Sequence, residues 1–305
     1  MKMTGNSRMQ NLFLATTLSI GVCFASSASA RSYILDLNSN KLIGFGSSYH
    51  LVDINNTGQA VGYFTSAAGA DHAFITGPNG VGITDLGTLG GVSSYAAGIN
   101  DAGQVVGRSS TATGGAEHAF ITGPNGVGMT DLGTLGESNS YATGINNAGQ
   151  VVGYSYNPEY EGYYGQAFIA GPNGTGITPI STLGGMPGTN HPTGINDAGH
   201  VVGYTEFFES RYWKQLAFVT DPYGPTLPSG APSGTGLIGQ SGEGDSVATD
   251  INNNEQIIVN WGDYINHEGS EYSGHHAFIT TLGTGLIDLG TLGGDPSYAS
   301  SINCR

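Results

Sequence analysis

Three short phrases recur in the same order along most of the chain, and this repetition constrains the fold more than any other feature of the sequence. The first phrase is close to G-I-N-D-A-G-Q-V-V-G, the second is His-Ala-Phe or a variant of it, and the third is D-L-G-T-L-G. The isoleucines of the first phrase lie 45, 46, 50, 56 and 51 residues apart: Ile54, Ile99, Ile145, Ile195, Ile251 and Ile302. A repeat of this length predicts one supersecondary unit per copy.

Each copy predicts four short strands separated by tight turns. The turn phrases N-D-A-G at 100–103 and G-P-N-G at 123–126 place Gly or Asn where a positive φ is needed, and Pro where φ is already fixed. Turns of this length join antiparallel strands. The strands predicted for the second copy are Tyr95–Asn100, Gln104–Ser109, His118–Thr122 and Val127–Gly133.

A series of four-stranded antiparallel units is typical of a β-propeller, whose blades commonly span about 40–50 residues. We therefore predict an all-β fold, a β-propeller of about five four-stranded antiparallel blades with a sixth blade incomplete. A lone strand at Tyr33–Asn38 precedes the five copies, and a lone inner-strand segment at Pro296–Asn303 follows them. The alternative is a β-solenoid, but a solenoid stacks parallel coils and would not need two hairpin turns in every copy.

The second phrase gives the chain a resemblance to a known family. It occurs as His72-Ala73-Phe74, His118-Ala119-Phe120, Gln166-Ala167-Phe168, Leu216-Ala217-Phe218 and His276-Ala277-Phe278. These triplets, together with the other two phrases, resemble the HAF-repeat family of extracellular repeat proteins. The resemblance covers nearly the whole chain after residue 30, and it implies secretion more clearly than any activity.

The first 30 residues predict a secretory signal peptide. Lys2 and Arg8 form a positive start, Leu12–Ala25 is mostly apolar, and Ala28-Ser29-Ala30 is a small-residue cleavage site. We therefore predict a signal at 1–30 and a single repeat domain at 31–305, secreted to the periplasm or the cell exterior. Its repeats are predicted at 33–83, 84–129, 130–177, 178–227 and 228–286, with a partial copy at 287–305.

The charge balance excludes two classes of partner. The chain has 8 Lys and Arg against 23 Asp and Glu, a formal net charge of −15. Nucleic acids and anionic membranes both attract clustered basic side chains, so neither is an expected partner. No segment after residue 30 is apolar enough to predict a membrane span. We expect a monomer.

The recurring histidines and the acidic turns suggest metal sites at first sight. His72, His118 and His276 hold one repeat position, but Gln166 and Leu216 hold it in the other copies. We therefore expect these histidines to order a blade by hydrogen bonds to nearby backbone rather than to bind a metal. The N-D-A-G turns offer too few carboxylates for calcium. No metal and no cofactor are predicted.

Two carboxylates carry the enzymatic alternative. Asp53 and Asp250 precede the isoleucine of the inner strand in copies one and five, where the other copies have Gly98, Gly144 and Gly194. Two carboxylates near a central channel could cleave a glycosidic bond. The competing hypothesis is that both side chains are hydrogen-bonded near the channel and have no catalytic role.

Aromatic insertions between the second and third strands carry the strongest functional signal. They lie at 156–165, 205–214 and 260–274, and insertions at one point of a repeat emerge on one face of the assembly. Aromatic rings with interspersed acids suit stacking on sugars or contact with a cationic protein surface. The predicted ligand-binding residues are Tyr160, Tyr163, Phe208, Tyr212, Trp213, Trp261, Tyr264 and Tyr272.

These observations predict a secreted, non-enzymatic repeat protein that binds an extracellular glycan or protein through an aromatic-rich loop face. The alternatives are a carbohydrate-active propeller hydrolase that uses Asp53 and Asp250, and a purely structural surface protein.

Overall fold

The computed structural model describes residues 33–36, 41–112, 115–157, 165–180, 188–209, 212–220, 236–238, 244–263, 276–282, 285–291 and 297–302. The predicted signal at 1–30 lies outside these residues. In the first half of the chain, the strands are β1 Tyr33–Asp36, β2 Lys41–Gly44, β3 Tyr49–Ile54, β4 Ala60–Thr65, β5 Asp71–Thr76, β6 Ile83–Gly87, β7 Gly90–Ile99, β8 Val105–Thr111, β9 Glu117–Thr122, β10 Met129–Gly133, β11 Asn139–Ile145 and β12 Val151–Tyr156. The later strands are β13 Gln166–Ala170, β14 Ile177–Pro179, β15 Gly188–Ile195, β16 Val201–Glu209, β17 Tyr212–Val219, β18 Gly236–Ile238, β19 Gly244–Ile251, β20 Gln256–Asp263, β21 His276–Thr281 and β22 Ile287–Asp288.

These strands form five four-stranded sheets in which spatial order follows chain order. The sheets are called blade 1 (β3–β6), blade 2 (β7–β10), blade 3 (β11–β14), blade 4 (β15–β18) and blade 5 (β19–β22). Each ladder in blades 1, 3, 4 and 5 is antiparallel, and β1 pairs antiparallel with β2. The predicted all-β class and the four-stranded antiparallel blades are confirmed.

The G-P-N-G phrases fold as predicted for tight turns. They form 3-10 turns at Pro78–Gly80, Pro124–Gly126 and Pro172–Gly174, whose central asparagines have φ of 56° to 58°. Asn is one of the few side chains that tolerates this left-handed conformation, so the phrase specifies the turn locally.

The I-N-D-A-G-Q phrases and their variants pair an asparagine with a glutamine side chain at the turn between the first two strands of blades 1, 2, 3 and 5, and His200 replaces the glutamine in blade 4. In blade 1, Asn55 Nδ2 donates to Gln59 Oε1 at 3.0 Å, and the Gln59 N–H donates to Asn55 Oδ1 at 2.9 Å. Asn55 Nδ2 also donates to the carbonyl oxygen of Asn100, on the next blade, at 2.9 Å. Asn196 makes the same contact with Asn252 at 3.3 Å. The repeated Asn therefore satisfies its own turn and links consecutive blades.

The described chain divides into two compact units. Unit 1 comprises the described residues up to Ala116 together with 120–131, and unit 2 comprises 117–119 and the described residues from Leu132 onward. The core of unit 1 consists of Val61, Ala73, Ile75, Ala96, Ile99, Val105 and Phe120. The two cores of unit 2 are Val152, Ala167, Ile180, Ile195, Val201 and Phe218, and Val202, Ala217, Val219, Ala248, Ile251, Ile257 and Val259. Each core combines apolar side chains from successive blades, so the blades are stabilised by packing on one another.

The segment at 297–302 docks on blade 5 in the way that an inner strand docks on the preceding blade. The Ala277 N–H donates to Ser297 Oγ at 3.2 Å, as the Ala217 N–H does to Ser246 Oγ at 2.9 Å. Asn260 exchanges two hydrogen bonds of 2.8 and 2.9 Å with the backbone of Ala299. This segment therefore occupies the place of the inner strand predicted for an incomplete sixth blade.

No helix within the described ranges is long and apolar enough to cross a membrane.

Candidate functional site

Asp53, one of the two carboxylates of the enzymatic hypothesis, holds backbone in place. Each inner strand has an irregularity in its register just before this position, and in β3 it falls between Leu51 and Asp53. Asp53 Oδ1 accepts the N–H of Ile54 at 2.8 Å, and Oδ2 accepts the N–H of Ile99, on the next inner strand, at 3.0 Å. This carboxylate therefore joins blade 1 to blade 2.

Asp250 makes the equivalent link from blade 5 to the docked segment. Oδ1 accepts the N–H of Ile251 at 2.8 Å, and Oδ2 accepts the Ile302 N–H at 2.9 Å and the Ser301 hydroxyl at 2.8 Å. A Cβ added to Gly194 of blade 4 would lie 3.1 Å from Asp250 Oδ1, so the side chain is wedged between neighbouring strands. Burial raises the pKa of Asp250, and it outweighs the opposite effect of the three donors.

Asp250→Asn is expected to remove a pH dependence from the stability. Because the folded-state pKa lies above the ordinary value of 3.8, the contribution of Asp250 favours folding most below pH 3.8 and is lost as the pH rises through the raised pKa. The free energy of unfolding of the variant, relative to the wild type, should therefore increase from about pH 4 to about pH 8 in urea titrations. If the difference in free energy of unfolding between the variant and the wild type stays constant over this range, the raised pKa of Asp250 is contradicted.

The repeated histidines pair with the aspartates of the D-L-G phrases. His72 Nδ1 lies 2.9 Å from Asp85 Oδ2, and His276 Nδ1 lies 2.8 Å from Asp288 Oδ2. The second oxygen of Asp85 accepts the N–H of Gly87 at 2.8 Å. The His276 imidazole lowers the pKa of Asp288. These two histidines therefore order the outer strand, through a carboxylate rather than through backbone as we expected.

Sequence comparison of the copies could have revealed this pairing. Blade 3 has Gln166 in place of the histidine, and Pro179 stands at the aspartate position because it pairs with the phenylalanine of the triplet. Blade 4 has Leu216 and Leu237 at the same two positions. At these two repeat positions, His and Asp are thus absent together from blades 3 and 4. Within the described part of the chain, no group of three or more His, Cys, Asp or Glu side chains could hold a metal ion.

The acidic turn residues also link blades. Asp101 accepts hydrogen bonds from Asn56 N and Nδ2, at 3.0 and 2.9 Å. Asp197 likewise accepts bonds from Asn147 N and Nδ2, at 2.8 and 3.1 Å, and a third from Asn253 Nδ2 at 2.7 Å. Asn and Asp alternate at this turn position from copy to copy, so each of these two carboxylates accepts hydrogen bonds from an asparagine of a neighbouring blade. The two acids therefore have a structural role.

A row of half-buried rings runs across the first and second strands of blades 3 and 4, in unit 2. We call it the ring belt, and it consists of Tyr141, Tyr154, Tyr156, His191 and Tyr204. The ring centroids of Tyr141 lie 5.4 Å from Tyr154 and 5.2 Å from Tyr156. Tyr154 lies 5.6 Å from His191 of the next blade, and His191 stacks on Tyr204 at 4.7 Å and 18°. The rings therefore form one continuous surface across blades 3 and 4.

Two carboxylates border the ring belt. The Tyr141 hydroxyl donates to Glu117 Oε2 at 2.7 Å and lies 2.6 Å from the Tyr156 hydroxyl. Burial, together with these two partners, raises the pKa of Tyr141. At the other end, His191 Nε2 lies 3.7 Å from Glu206 Oε2, and the imidazole lowers the pKa of Glu206 although burial opposes it. Glu206 is therefore charged at neutral pH, and 28 % of its side chain is exposed.

Unit 1 contains a related arrangement of its own. His50 stacks on Tyr63 at 4.7 Å, and Tyr63 meets Tyr95 of blade 2 edge to face at 5.1 Å. The Tyr95 hydroxyl donates to Asp71 Oδ2 at 3.2 Å, and the Arg108 guanidinium lies 4.6 Å above the Tyr95 ring. Burial, and then Asp71, raises the pKa of Tyr95. A cation, a ring and a carboxylate thus meet at the junction of blades 1 and 2.

The structure revises the position of the predicted aromatic loops. The segment at 205–214, expected to be a loop, is mostly strand: β16 and β17 form a long hairpin in which Phe208 pairs with Trp213 and Glu209 with Tyr212. Trp261 lies within β20, and its ring is 5.9 Å from that of Phe278. Tyr160, Tyr163, Tyr264 and Tyr272 lie outside the described residues.

Sequence reasoning missed most of the ring belt, because all of its members except Tyr156 lie on strands outside the predicted insertions. Its inner-strand members stand four residues before the repeated isoleucine, and its other rings follow the V-V-G phrase. A search for aromatic residues at fixed repeat positions would have found His50, Tyr95, Tyr141 and His191.

Comparison with solved structures identifies the architecture. The propeller domain of the trilobed protease from Pyrococcus furiosus matches with a TM-score of 0.52 and 8 % identity, over 95 % of this chain and 100 % of that one. A prolyl endopeptidase matches with a TM-score of 0.57 and 11 % identity, over 88 % of this chain and 40 % of that one. The fold is that of a β-propeller. A TolB-type protein from Agrobacterium tumefaciens is also similar, with a TM-score of 0.50, 9 % identity and coverage of 83 % and 86 %.

At these identities the likeness establishes the propeller fold alone. This chain spans 49 % of a TolB from Acinetobacter baumannii (TM-score 0.46, 12 % identity, 67 % of this chain) and 40 % of the prolyl endopeptidase, about half or less of each. No family model matches the chain, and no curated protein matches it. The resemblance to HAF-repeat proteins stays a prediction.

Proposed function

We propose that this propeller is an exported, non-enzymatic binding protein that recognises an extracellular glycan or protein. The observation that carries the proposal is the ring belt with its bordering carboxylates. Half-buried tyrosines present flat apolar faces with polar edges, which is the combination enriched where proteins bind saccharides and other proteins.

The position of the ring belt connects it to the predicted loop face. Tyr156 is the last residue of β12, so it stands where the aromatic segment at 156–165 begins. In an antiparallel blade, the connection between the second and third strands leaves on the side opposite to the N-D-A-G turns. The belt and the β16–β17 hairpin thus supply one binding face, on the side where the aromatic insertions are predicted to emerge, whereas short turns cover the other.

The bonding of the two inner-strand aspartates favours a non-enzymatic role. In both Asp53 and Asp250, Oδ1 accepts the backbone N–H of the isoleucine that follows it in the same strand, and Oδ2 accepts a backbone N–H of the neighbouring inner segment. A glycosidase needs one carboxyl group to protonate the leaving group and another to act as nucleophile or base. Carboxylates engaged in this way are better suited to holding strands than to proton transfer. The predicted N-terminal signal and the resemblance to HAF-repeat proteins support export.

Tyr156→Ala and Trp213→Ala are each expected to weaken ligand binding by about 1–3 kcal/mol, as for aromatic hot-spot residues. Ligands would first be selected by screening residues 31–305 against extracellular glycans and surface proteins, and affinities would then be measured by calorimetry. Val127→Thr is the matched control, because Val127 is 73 % exposed and stands at a turn position where copy three has threonine. Equal affinities for all three variants would refute the proposed binding face.

A further inference from the structure

Unit 1 shows how this repeat accommodates a cation. At the junction of blades 1 and 2, the guanidinium of Arg108 lies over Tyr95, whose hydroxyl is bonded to Asp71. The carboxylate comes from the start of the third strand of one blade, and the ring comes from the inner strand of the next. A guanidinium over such a ring is attracted by the negative face of the π-system, and the carboxylate adds to the attraction.

The same ring and carboxylate recur in unit 2 without an arginine at the cation position. Tyr141 takes the place of Tyr95, and Glu117 takes the place of Asp71. The register pairs Tyr95 with Arg108, but it pairs Tyr141 with Tyr154, so a further ring replaces the guanidinium. Blade 4 repeats this substitution, with His191 paired with Tyr204.

Charge in unit 2 also favours a cationic ligand. Glu206 lies beside the stacked pair of His191 and Tyr204, and it is partly exposed. Its negative charge raises the pKa of Tyr204, together with the larger effect of burial, so the phenol stays neutral. The five rings of the belt are thus bordered by Glu117 and Glu206, in a chain with 23 acidic and 8 basic side chains.

We infer that the ring belt binds arginine or lysine side chains of a protein partner. This inference rests on the proposed function, and it names the partner as a basic segment of a protein rather than a neutral glycan. The incoming guanidinium or ammonium group lies against the exposed parts of the tyrosine rings and pairs with Glu206. Arginine is favoured over lysine, because its planar group stacks on a ring while it bonds to a carboxylate.

The test uses a fluorescent peptide of alternating arginine and glycine, titrated with residues 31–305. A matched peptide with citrulline in place of arginine keeps the shape but removes the charge. The arginine peptide is expected to bind about tenfold more tightly than the citrulline peptide, and added salt should reduce the difference. Equal binding of the two peptides would overturn the inference.

Variants locate the binding to the ring belt. Glu206→Gln and Tyr204→Leu should each weaken binding of the arginine peptide about fivefold without loss of the folded state, as judged by circular dichroism. Asp71→Asn is the matched control, since it removes the same charge from the cluster in which Arg108 already supplies the cation. An equal effect of Asp71→Asn and Glu206→Gln would indicate general electrostatics and overturn the site.

The same variants separate this inference from the proposed function. If a neutral glycan binds, and its affinity falls in Tyr204→Leu but not in Glu206→Gln, the binding face stands and the cationic partner is wrong. If neither the arginine peptide nor any ligand of the screen responds to belt variants, both are wrong.

Discussion

Gly153→Ala is expected to cost about 3–5 kcal/mol of folding free energy, a large part of the stability of an ordinary domain. Gly153 lies on β12, opposite Ala142 of the inner strand. A Cβ at this position would collide with the carbonyl oxygen of Tyr141 and would lie 2.6 Å from Phe168 Cζ. Backbone cannot move aside as a flexible side chain can, so β11 and β12 would have to separate. The measurement is the urea midpoint.

Gly285→Ala is the matched control for this substitution. Nothing lies within 4 Å of the position that its Cβ would take, and its φ is not in the left-handed range. The control should change the free energy of unfolding by less than about 0.5 kcal/mol. A similar urea midpoint for both variants would show that stability does not require the close contact of Gly153 with the Tyr141 carbonyl and the Phe168 ring. Blade 5 has Val259 opposite Ala248 at the same register position, and nothing in the described contacts explains how that blade accommodates it.

Phe168→Ala should destabilise the propeller by about 3–5 kcal/mol, because it removes a fully buried ring. Phe74, Phe120 and Phe218 are equally buried, which makes the phenylalanine of the H-A-F triplet the repeated core residue. Phe168→Leu keeps most of the apolar volume, and we expect it to cost about 1–2 kcal/mol. Thermal and urea unfolding of the two variants give the comparison. Equal losses of free energy of unfolding in the two variants would contradict a cavity as the cause of the destabilisation.

The strands could be predicted because each repeat carries its own turn signals. The four strands of blade 2 lie where N-D-A-G and G-P-N-G placed them, although β7 begins at Gly90 rather than at Tyr95. Local chemistry suffices here, since Asn125 needs no tertiary contact to prefer a positive φ.

The candidate site was predicted less well, because it depends on distances between blades. Tyr154 and His191 are 37 positions apart in the printed sequence, and only the docking of blade 3 on blade 4 brings their rings within 5.6 Å. The β16–β17 hairpin was missed for a different reason. Phe207, Phe208 and Trp213 were interpreted as an insertion, but aromatic residues have high strand propensity, and they extend the ladder instead.

Hydrogen–deuterium exchange with and without a bound ligand from the screen tests the binding face most directly. Ligand binding should slow exchange in the segments 154–165 and 204–215, which contain Tyr154, Tyr156 and Tyr204 of the ring belt and the aromatic residues of the β16–β17 hairpin. Exchange at the turns 100–104 and 123–128 should be unchanged. Protection confined to those turns, with none at 154–165 or 204–215, would contradict the account.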